Sequence, residues 1–174
     1  MLKKYALLCF LAYTVTYAQP PELKLTASGF DSIEVPLPAT KNDKLIDVTK
    51  AWAMEYNHGA AGSGQNYDVT NVTSNTITIS SFKRSAFSYH NRGEEFYFKI
   101  RYTMKIAFYG SRYTISFAIP EIYGQNNEPI KYTLPDYFTS KGTLKEGYDG
   151  LDASLEDTVN GIVLSHYNFL INYR

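Results

Sequence analysis

Cysteine is nearly absent from the sequence, since Cys9 is the only one among 174 residues. One thiol cannot form an intramolecular disulfide, and zinc sites built on thiolates need several cysteines. The chain therefore has to rely on an apolar core for its stability, and at this length it is long enough to bury one.

Long hydrophobic runs are also missing. The longest, Ala6 to Val15, is about half of what a helix needs to span a bilayer. Lys3 and Lys4 precede this run, and the small-x-small tripeptide ending at Ala18 follows it, which is the pattern of a cleaved signal peptide. We therefore predict a signal peptide over residues 1–18, no transmembrane anchor, and an exported protein that is periplasmic, cell-surface or extracellular.

A net charge is lacking as well, with 17 basic and 17 acidic residues. This balance favours neither nucleic acid nor an anionic membrane as a partner. The charges are nevertheless segregated along the chain. Residues 83–112 hold seven Lys or Arg and two Glu, whereas residues 121–157 hold eight acids and three Lys. Two interpretations of this segregation remain possible. The two segments form complementary surfaces of one domain, or the basic segment forms a face that binds a partner.

Residues that would indicate catalysis or metal binding are few. The three histidines (His58, His90 and His166) have no partner at the spacing of a helical metal pair. No G-x-S-x-G nucleophile motif is present, and a phosphate-binding loop is not indicated by the glycine-rich connection over residues 58–66, because no Lys follows it. We predict no catalytic residue, no metal site and no cofactor, and we expect His166 to be a core residue.

Aromatic and β-branched residues are abundant, and they alternate most regularly over residues 96–119. The even positions from Phe96 to Phe108 are apolar, while the odd positions are mostly polar or basic, which is the period of a half-buried strand. Gly110-Ser111 provides a turn, and Tyr113, Ile115, Phe117 and Ile119 continue the apolar face. The stretch predicts a long antiparallel hairpin with one apolar and one basic-polar face.

Three further strands are indicated around this hairpin. Ile33 and Val35 alternate within residues 32–36, before two prolines. Residues 67–81 are rich in Thr, Val and Ile and predict one strand, with Ile77 and Ile79 inward. Residues 82–89 fit a third strand or an irregular edge, and residues 90–93 a turn.

Two helices are predicted. The first follows a cap at Thr40 or Asn42, and its apolar stripe contains Leu45, Val48, Trp52 and Tyr56. The second runs from about Leu151 to Asn172 after a cap at Asp149 or Asp152. Its Gly161 is expected to allow a close approach to the sheet. Its inward stripe consists of Leu155, Val159, Ile162, Val163, His166 and either Leu170 or Phe169.

Residues 123–150 form a long loop that contains Tyr123, Tyr132, Tyr137, Phe138 and Tyr148. Loops of this length are uncommon in compact domains and are often functional. The aromatic residues either hold a ligand or pack the loop onto the core, and we expect packing.

The element order β-α-β-β-β(-β)-α predicts an α+β fold: a two-layer antiparallel sheet with both helices on one face. The stretches NDKLIDVTKAW, IRYTMKIAFYGSRYTISF and LEDTVNGIVL resemble, in this order and behind the leader, an exported bacterial family of unknown function with a fold like that of the TATA-box-binding protein (TBP-like). The resemblance implies that architecture and no catalytic residues. We accordingly expect a signal peptide, a flexible segment over residues 19–31, and a single domain over residues 32–174.

The open face of the sheet is the best candidate for function. Its arginines and lysines suit carboxylate, sulfate or phosphate groups, and its tyrosines suit stacking. The sequence thus favours a non-enzymatic binding module, whose partner would be an envelope protein or an anionic glycan rather than nucleic acid. The alternatives are a hydrolase of envelope or extracellular polymers and a structural subunit of an envelope assembly. The predicted ligand face comprises Tyr97, Lys99, Arg101, Lys105, Tyr109 and Arg112.

Overall fold

The computed structural model describes residues 19–58 and 67–173. The predicted leader and all but the first residue of the glycine-rich connection lie outside the described residues. In chain order the elements are β1 (Leu25–Thr26), β2 (Gly29–Phe30), β3 (Ile33–Pro36), α1 (Asn42–His58), β4 (Tyr67–Thr70), β5 (Thr76–Asn91), β6 (Glu94–Phe108), β7 (Arg112–Tyr123), a 3-10 helix (Leu134–Tyr137) and α2 (Leu151–Asn172).

Five strands form one antiparallel sheet in the order β3-β7-β6-β5-β4. The predicted alternation in β6 is confirmed, because Ile100, Tyr102 and Met104 are buried whereas Arg101 and Lys105 are exposed. The turns on either side of β6 contain glycines with positive φ, which only glycine adopts without strain.

Both helices pack on the apolar face of this sheet. Trp52 of α1 is 1% exposed, and its ring centroid lies 5.0 Å from that of His166 in α2. His166 in turn contacts Tyr113 of β7, with 5.6 Å between the ring centroids. The sheet, α1 and α2 thus share one core, and the predicted α+β two-layer fold is confirmed.

The prediction of one strand over residues 67–81 is wrong. The chain turns between β4 and β5, where Asn71 has a φ of 49°. The Thr73 hydroxyl is hydrogen-bonded with the side chains of Asn75 and Thr76. Such local side-chain bonds favour a turn over a continued strand. β5 then continues to Asn91, so residues 82–89 belong to a strand with an irregularity between Lys83 and Phe87.

β7 extends beyond Pro120, where the sequence pattern ends. Residues 118 and 121 pair with residues 103 and 101 of β6, so that β7 carries one extra residue. This bulge tolerates the proline, which has no N–H to donate to the sheet. It also changes the phase of the alternation, because Ile122 is buried after the bulge, whereas Ile119 is only partly buried.

The long loop over residues 123–150 is more ordered than a plain connection. A capping box between Thr133 and Asp136 begins its 3-10 helix. Tyr137 and Phe138 are 2% and 7% exposed, so packing on the core is confirmed for these two rings. Tyr132 remains 57% exposed.

The predicted caps of α2 and the predicted role of Gly161 are wrong. Gly150, not Asp149 or Asp152, is the N-cap residue of α2, and no side chain caps that end. The Asn42 side chain accepts a hydrogen bond from the Gly110 N–H of the β6–β7 turn. The expectation for Gly161 is wrong, because a Cβ there would have no atom within 4 Å. The helix presents Gly161 to solvent rather than to the sheet.

The segment over residues 19–31, predicted to be flexible, is attached to α2 over its second half. Leu23 is 1% exposed, and its backbone N–H and carbonyl both bond to the Asn160 side chain, at 2.8 and 3.0 Å. The Leu25 N–H donates to Glu156 at 2.8 Å. Hydrogen bonds between distant parts of the chain explain an order that local composition does not indicate.

Candidate functional site on the open sheet face

A depression of about 570 Å³ lies on the sheet face opposite the helices, where β5, β6 and β7 run side by side. Lys99 and Arg101, two of the six predicted residues, lie in it. The alternation of β6 places both on the open face. The residues that line the depression are Phe82, Arg84, Lys99, Arg101, Tyr123 and Asn127.

The rings of Phe82 and Tyr123 meet across the central strand. Phe82 pairs with Arg101 in the sheet register, and Tyr123 pairs with Lys99. The two ring centroids are 5.2 Å apart at an interplanar angle of 73°, an edge-to-face contact. The depression therefore combines a fixed aromatic pair with cationic side chains.

Glu121 is the carboxylate nearest to these cations. Its Oε2 accepts a hydrogen bond from Arg101 Nε at 2.8 Å and another from the Tyr123 hydroxyl. These two donors, Tyr123 more than Arg101, lower the pKa of the Glu121 carboxyl. The arrangement orients the Arg101 guanidinium and neutralises part of its charge.

The other two cations of the depression are more available to a ligand. Lys99 Nζ donates to the Gln125 carbonyl at 3.0 Å and to Asn127 Oδ1 at 2.6 Å, both neutral acceptors. Arg84 is exposed and has no ion-pair partner in the part of the chain that the structure describes. A positive excess thus remains around the depression.

The remaining four predicted residues lie elsewhere on the sheet. Arg112 pairs with Glu34 at 3.2 Å and lies over the Tyr109 ring, beside the β6–β7 turn. Tyr97 donates to Glu95 at 2.5 Å, towards the other end of β6. Lys105 is exposed, with Thr78 and Ser116 as its cross-strand neighbours. The structure therefore does not bring the six residues into one site.

Sequence reasoning missed Phe82, Arg84, Glu121 and Asn127, and it named Tyr123 only as one of the aromatic residues of the long loop. The bulge in β7 puts Glu121 and Tyr123 on the open face, and the only signal for this was that apolar alternation resumes at Ile122. Asn127 approaches Lys99 from a turn where its φ is 65°.

Metal-binding and catalytic side chains are the other candidates for chemistry within the described ranges, residues 19–58 and 67–173. No group of three or more His, Cys, Asp or Glu side chains is placed there to hold a metal ion. His166 is a core residue, as predicted: its Nε2 is hydrogen-bonded with the Thr49 hydroxyl at 3.0 Å, and burial lowers its pKa to about 3. Neither helix in these ranges has both the length and the apolar character to cross a bilayer.

Comparison with known proteins identifies the architecture. The structure is similar to that of a TBP-like protein from Parabacteroides distasonis, with a TM-score of 0.57 and 19% identity over 82% of this chain and 92% of that chain. It is also similar to a DUF4468 family protein from Bacteroides ovatus, with a TM-score of 0.55 and 13% identity over 80% of this chain and 82% of that chain. No protein-family model matches the chain, and no curated protein sequence matches it significantly.

The fold and these similarities define the chain as an α+β protein of TBP-like architecture. The resemblance read from the sequence, to bacterial proteins of unknown function with this fold, is confirmed at the level of the fold. At such low identity the likeness carries no function, so function has to be argued from the depression itself.

Proposed function

We propose that the chain is an exported, non-enzymatic binding module whose open sheet face binds an anionic glycan. The single observation that carries this proposal is the convergence of Arg84, Lys99 and Arg101 on one depression beside the aromatic pair. Guanidinium and ammonium groups bind carboxylate and sulfate groups through charge-assisted hydrogen bonds. Tyr123 and Phe82 provide apolar surface against which a sugar ring packs.

The shape of the face supports binding rather than polymer hydrolysis. A glycosidase needs two carboxyl groups facing each other across a cleft. Among the residues that the structure describes, Glu121 is the one carboxylate that bonds to the residues lining this depression. That carboxylate is already engaged by Arg101 and Tyr123. The depression supplies groups that recognise an anion, and we name no group in it that would cleave a bond.

The edge of the sheet at β3 and β7 also argues against an assembly built by strand addition there. β3 covers the outer edge of β7 only over its first residues. The uncovered part carries the bulge with Pro120. Farther along, Ile130 donates its N–H to the Ile122 carbonyl at 2.9 Å and so occupies this edge. Bulges and prolines are devices that keep an edge from pairing with another chain. We therefore place the structural-subunit alternative behind binding.

The experiment is retention of the mature protein on immobilised polygalacturonate and heparin, which present carboxylate and sulfate groups. We expect retention on at least one of them, and elution by salt, because exposed charges are screened. Reversing two cations of the depression, Arg84→Glu with Lys99→Glu, should weaken binding about tenfold or more without lowering the melting temperature.

The matched control reverses two exposed lysines outside the depression, Lys131→Glu with Lys141→Glu, and thus changes the net charge equally. Equal loss in both double variants would contradict a site in the depression. Failure of both glycans to retain the wild-type protein would contradict the ligand class. Depolymerisation of either glycan would contradict a non-enzymatic role and favour the hydrolase alternative.

A further inference from the structure

Seven aromatic rings form a continuous cluster beside the β5–β6 turn, away from the depression. Tyr89 is at its centre, with ring centroids 5.5 Å from Phe96, 5.2 Å from Phe98 and 5.0 Å from Tyr148. The aromatic cluster consists of Phe87, Tyr89, Phe96, Phe98, Tyr132, Tyr137 and Tyr148.

The cluster is only partly buried. Phe87 and Tyr137 belong to the core, whereas Tyr89, Phe96 and Tyr148 are half-buried. Each half-buried ring is held by neighbouring rings and so loses little conformational freedom when a ligand binds. Rigid rings with accessible surface are efficient contact groups for this reason.

Phe96 lies in the wall of a cleft of about 810 Å³. One side of the cleft is the β5–β6 turn, and the other is the chain just before α2. The His90 N–H donates to the Asp149 carbonyl at 3.0 Å and joins the two sides. This volume is within the range of about 300–1,000 Å³ that is usual for small-molecule sites.

Gly147 permits the close approach of the two sides. Its φ is +88°, and a Cβ at this position would lie 3.0 Å from Asn91 Nδ2. A residue with a side chain would therefore strain the backbone and displace the Asn91 amide.

Polar groups with free hydrogen-bonding capacity line the same cleft as Phe96. No side-chain hydrogen bond or ion pair engages them within the described part of the chain. They include an amide, a guanidinium and carboxylates, each of which can bond to two adjacent groups. The set consists of Asn91, Arg92, Glu94, Glu146 and Asp149.

From these observations we infer that the cleft is a second binding site, which takes a neutral sugar ring stacked on Phe96. A pyranose presents a C–H face that packs on an aromatic ring, and pairs of neighbouring hydroxyls that both donate and accept hydrogen bonds. The guanidinium and amide donate hydrogen bonds to such hydroxyls, and the carboxylates accept them. Three carboxylates against one guanidinium give the cleft a net negative charge, so an anionic ligand would be repelled. This site does not depend on the depression of the open sheet face.

The test is a titration of the ¹⁵N-labelled mature protein with cellobiose, maltose, lactose and N,N′-diacetylchitobiose at millimolar concentrations. We expect at least one of them to shift the amide signals of Gly93, Phe96 and Gly147. Added salt should leave the affinity unchanged, because the ligand has no charge. Phe96→Ala should weaken binding about tenfold or more.

Glu146→Ala serves as a second variant, because Glu146 is exposed and its loss leaves the aromatic cluster intact. It should weaken binding as well. Glu128→Ala, which makes the same charge change in the turn that follows β7, should not. The inference is overturned if none of the four disaccharides shifts the cleft signals, or if both Glu variants bind like the wild-type protein. A shift of the same amide signals by free lysine would also overturn the inference, because it would assign the cleft to a cationic ligand. The Arg84→Glu and Lys99→Glu double variant should bind the disaccharide normally.

Discussion

His166 illustrates how a titratable residue becomes part of a core. Its ring is wholly buried among Thr49, Trp52 and Tyr113, which offer one hydroxyl contact and two aromatic edges. Its Nδ1 has no hydrogen-bond partner within the described residues. Burial therefore disfavours the imidazolium form and lowers the pKa of His166 to about 3.

We predict that His166 makes the protein less stable as the pH falls below about 6.5. The unfolded chain binds a proton near that pH, whereas the folded chain does not until the pH approaches 3. The unfolded state therefore holds more protons within this window, and the free energy of unfolding decreases towards acid. Between pH 7.5 and pH 5 the loss due to His166 should be about 2 kcal/mol, measured by urea unfolding.

His166→Gln keeps a hydrogen-bonding group near Thr49 but cannot titrate, so it should remove this part of the pH dependence. The exposed His90 provides the control. His90→Gln should leave the slope of stability against pH as in the wild-type protein. A wild-type slope in His166→Gln would show that the pH dependence has another origin.

Two glycines should respond oppositely to the same substitution. Gly161→Ala should stabilise the protein by about 0.5–1 kcal/mol, because alanine is the better helix former and its methyl group would meet no atom within 4 Å. Gly147→Ala should destabilise it by about 1–2 kcal/mol, because its left-handed backbone strains any side chain. Thermal unfolding of both variants measures these changes in stability. A change of the same sign in both variants would contradict the argument.

At the scale of elements, the N-terminal hairpin of β1 and β2 depends on a few contacts with the rest of the fold. Asn160 of α2 binds both backbone groups of Leu23, and Glu156 binds the Leu25 N–H and the Lys24 ammonium. Phe30 adds an edge-to-face contact with Phe117 at 6.0 Å. The helix thus holds the hairpin through side chains rather than through a shared sheet.

We predict that Asn160→Ala releases this hairpin while the main sheet stays folded. Two hydrogen bonds are lost and the backbone groups of Leu23 are left without them, at a cost of about 2 kcal/mol. Hydrogen exchange should accelerate at Leu23 and Leu25 and stay unchanged in β6. Asn168→Ala, at an exposed position of the same helix, is the control, and equal effects of both variants would contradict the proposed attachment.

The long strands β6 and β7 show what an irregularity does to a face. Before the bulge of β7, Thr114 and Ser116 share the open face with Lys105. Beyond the bulge, Glu121 and Tyr123 lie on the open face. A strict two-residue period would place them on the opposite face. The composition of the depression therefore depends on one inserted residue.

At the scale of the whole molecule, the two oppositely charged segments of the sequence meet in space. Arg101, from the basic segment, pairs with Glu121 at the start of the acidic one, and Lys99 bonds to the turn beyond it. Arg84 stays without an ion-pair partner within the described residues. Internal complementarity thus accounts for part of the charge pattern, and our proposal assigns the remainder to a ligand.

Export is the whole-molecule property on which the proposed ligand class depends. We predict that expression of the full chain in a secreting bacterial host yields a mature protein that begins at Gln19, as determined by intact mass. Replacing both Lys3 and Lys4 by Glu should reduce export, because a signal peptide needs a positively charged start. Recovery of unprocessed wild-type protein from the cytoplasm would contradict the prediction and remove the reason for an envelope glycan.

The sequence by itself determined the strands of the long hairpin, the two helices and the faces that these elements bury. These are local properties: a period of two or 3.6 residues tells which side chains share a face, as Ile100 and Met104 do in β6. Only the tertiary structure decided which polar side chains meet. Arg84 and Lys99 line one depression, and Phe96 lines a cleft between two distant segments. Both sites depend on bulges, turns and glycine conformations whose geometry no short-range pattern records.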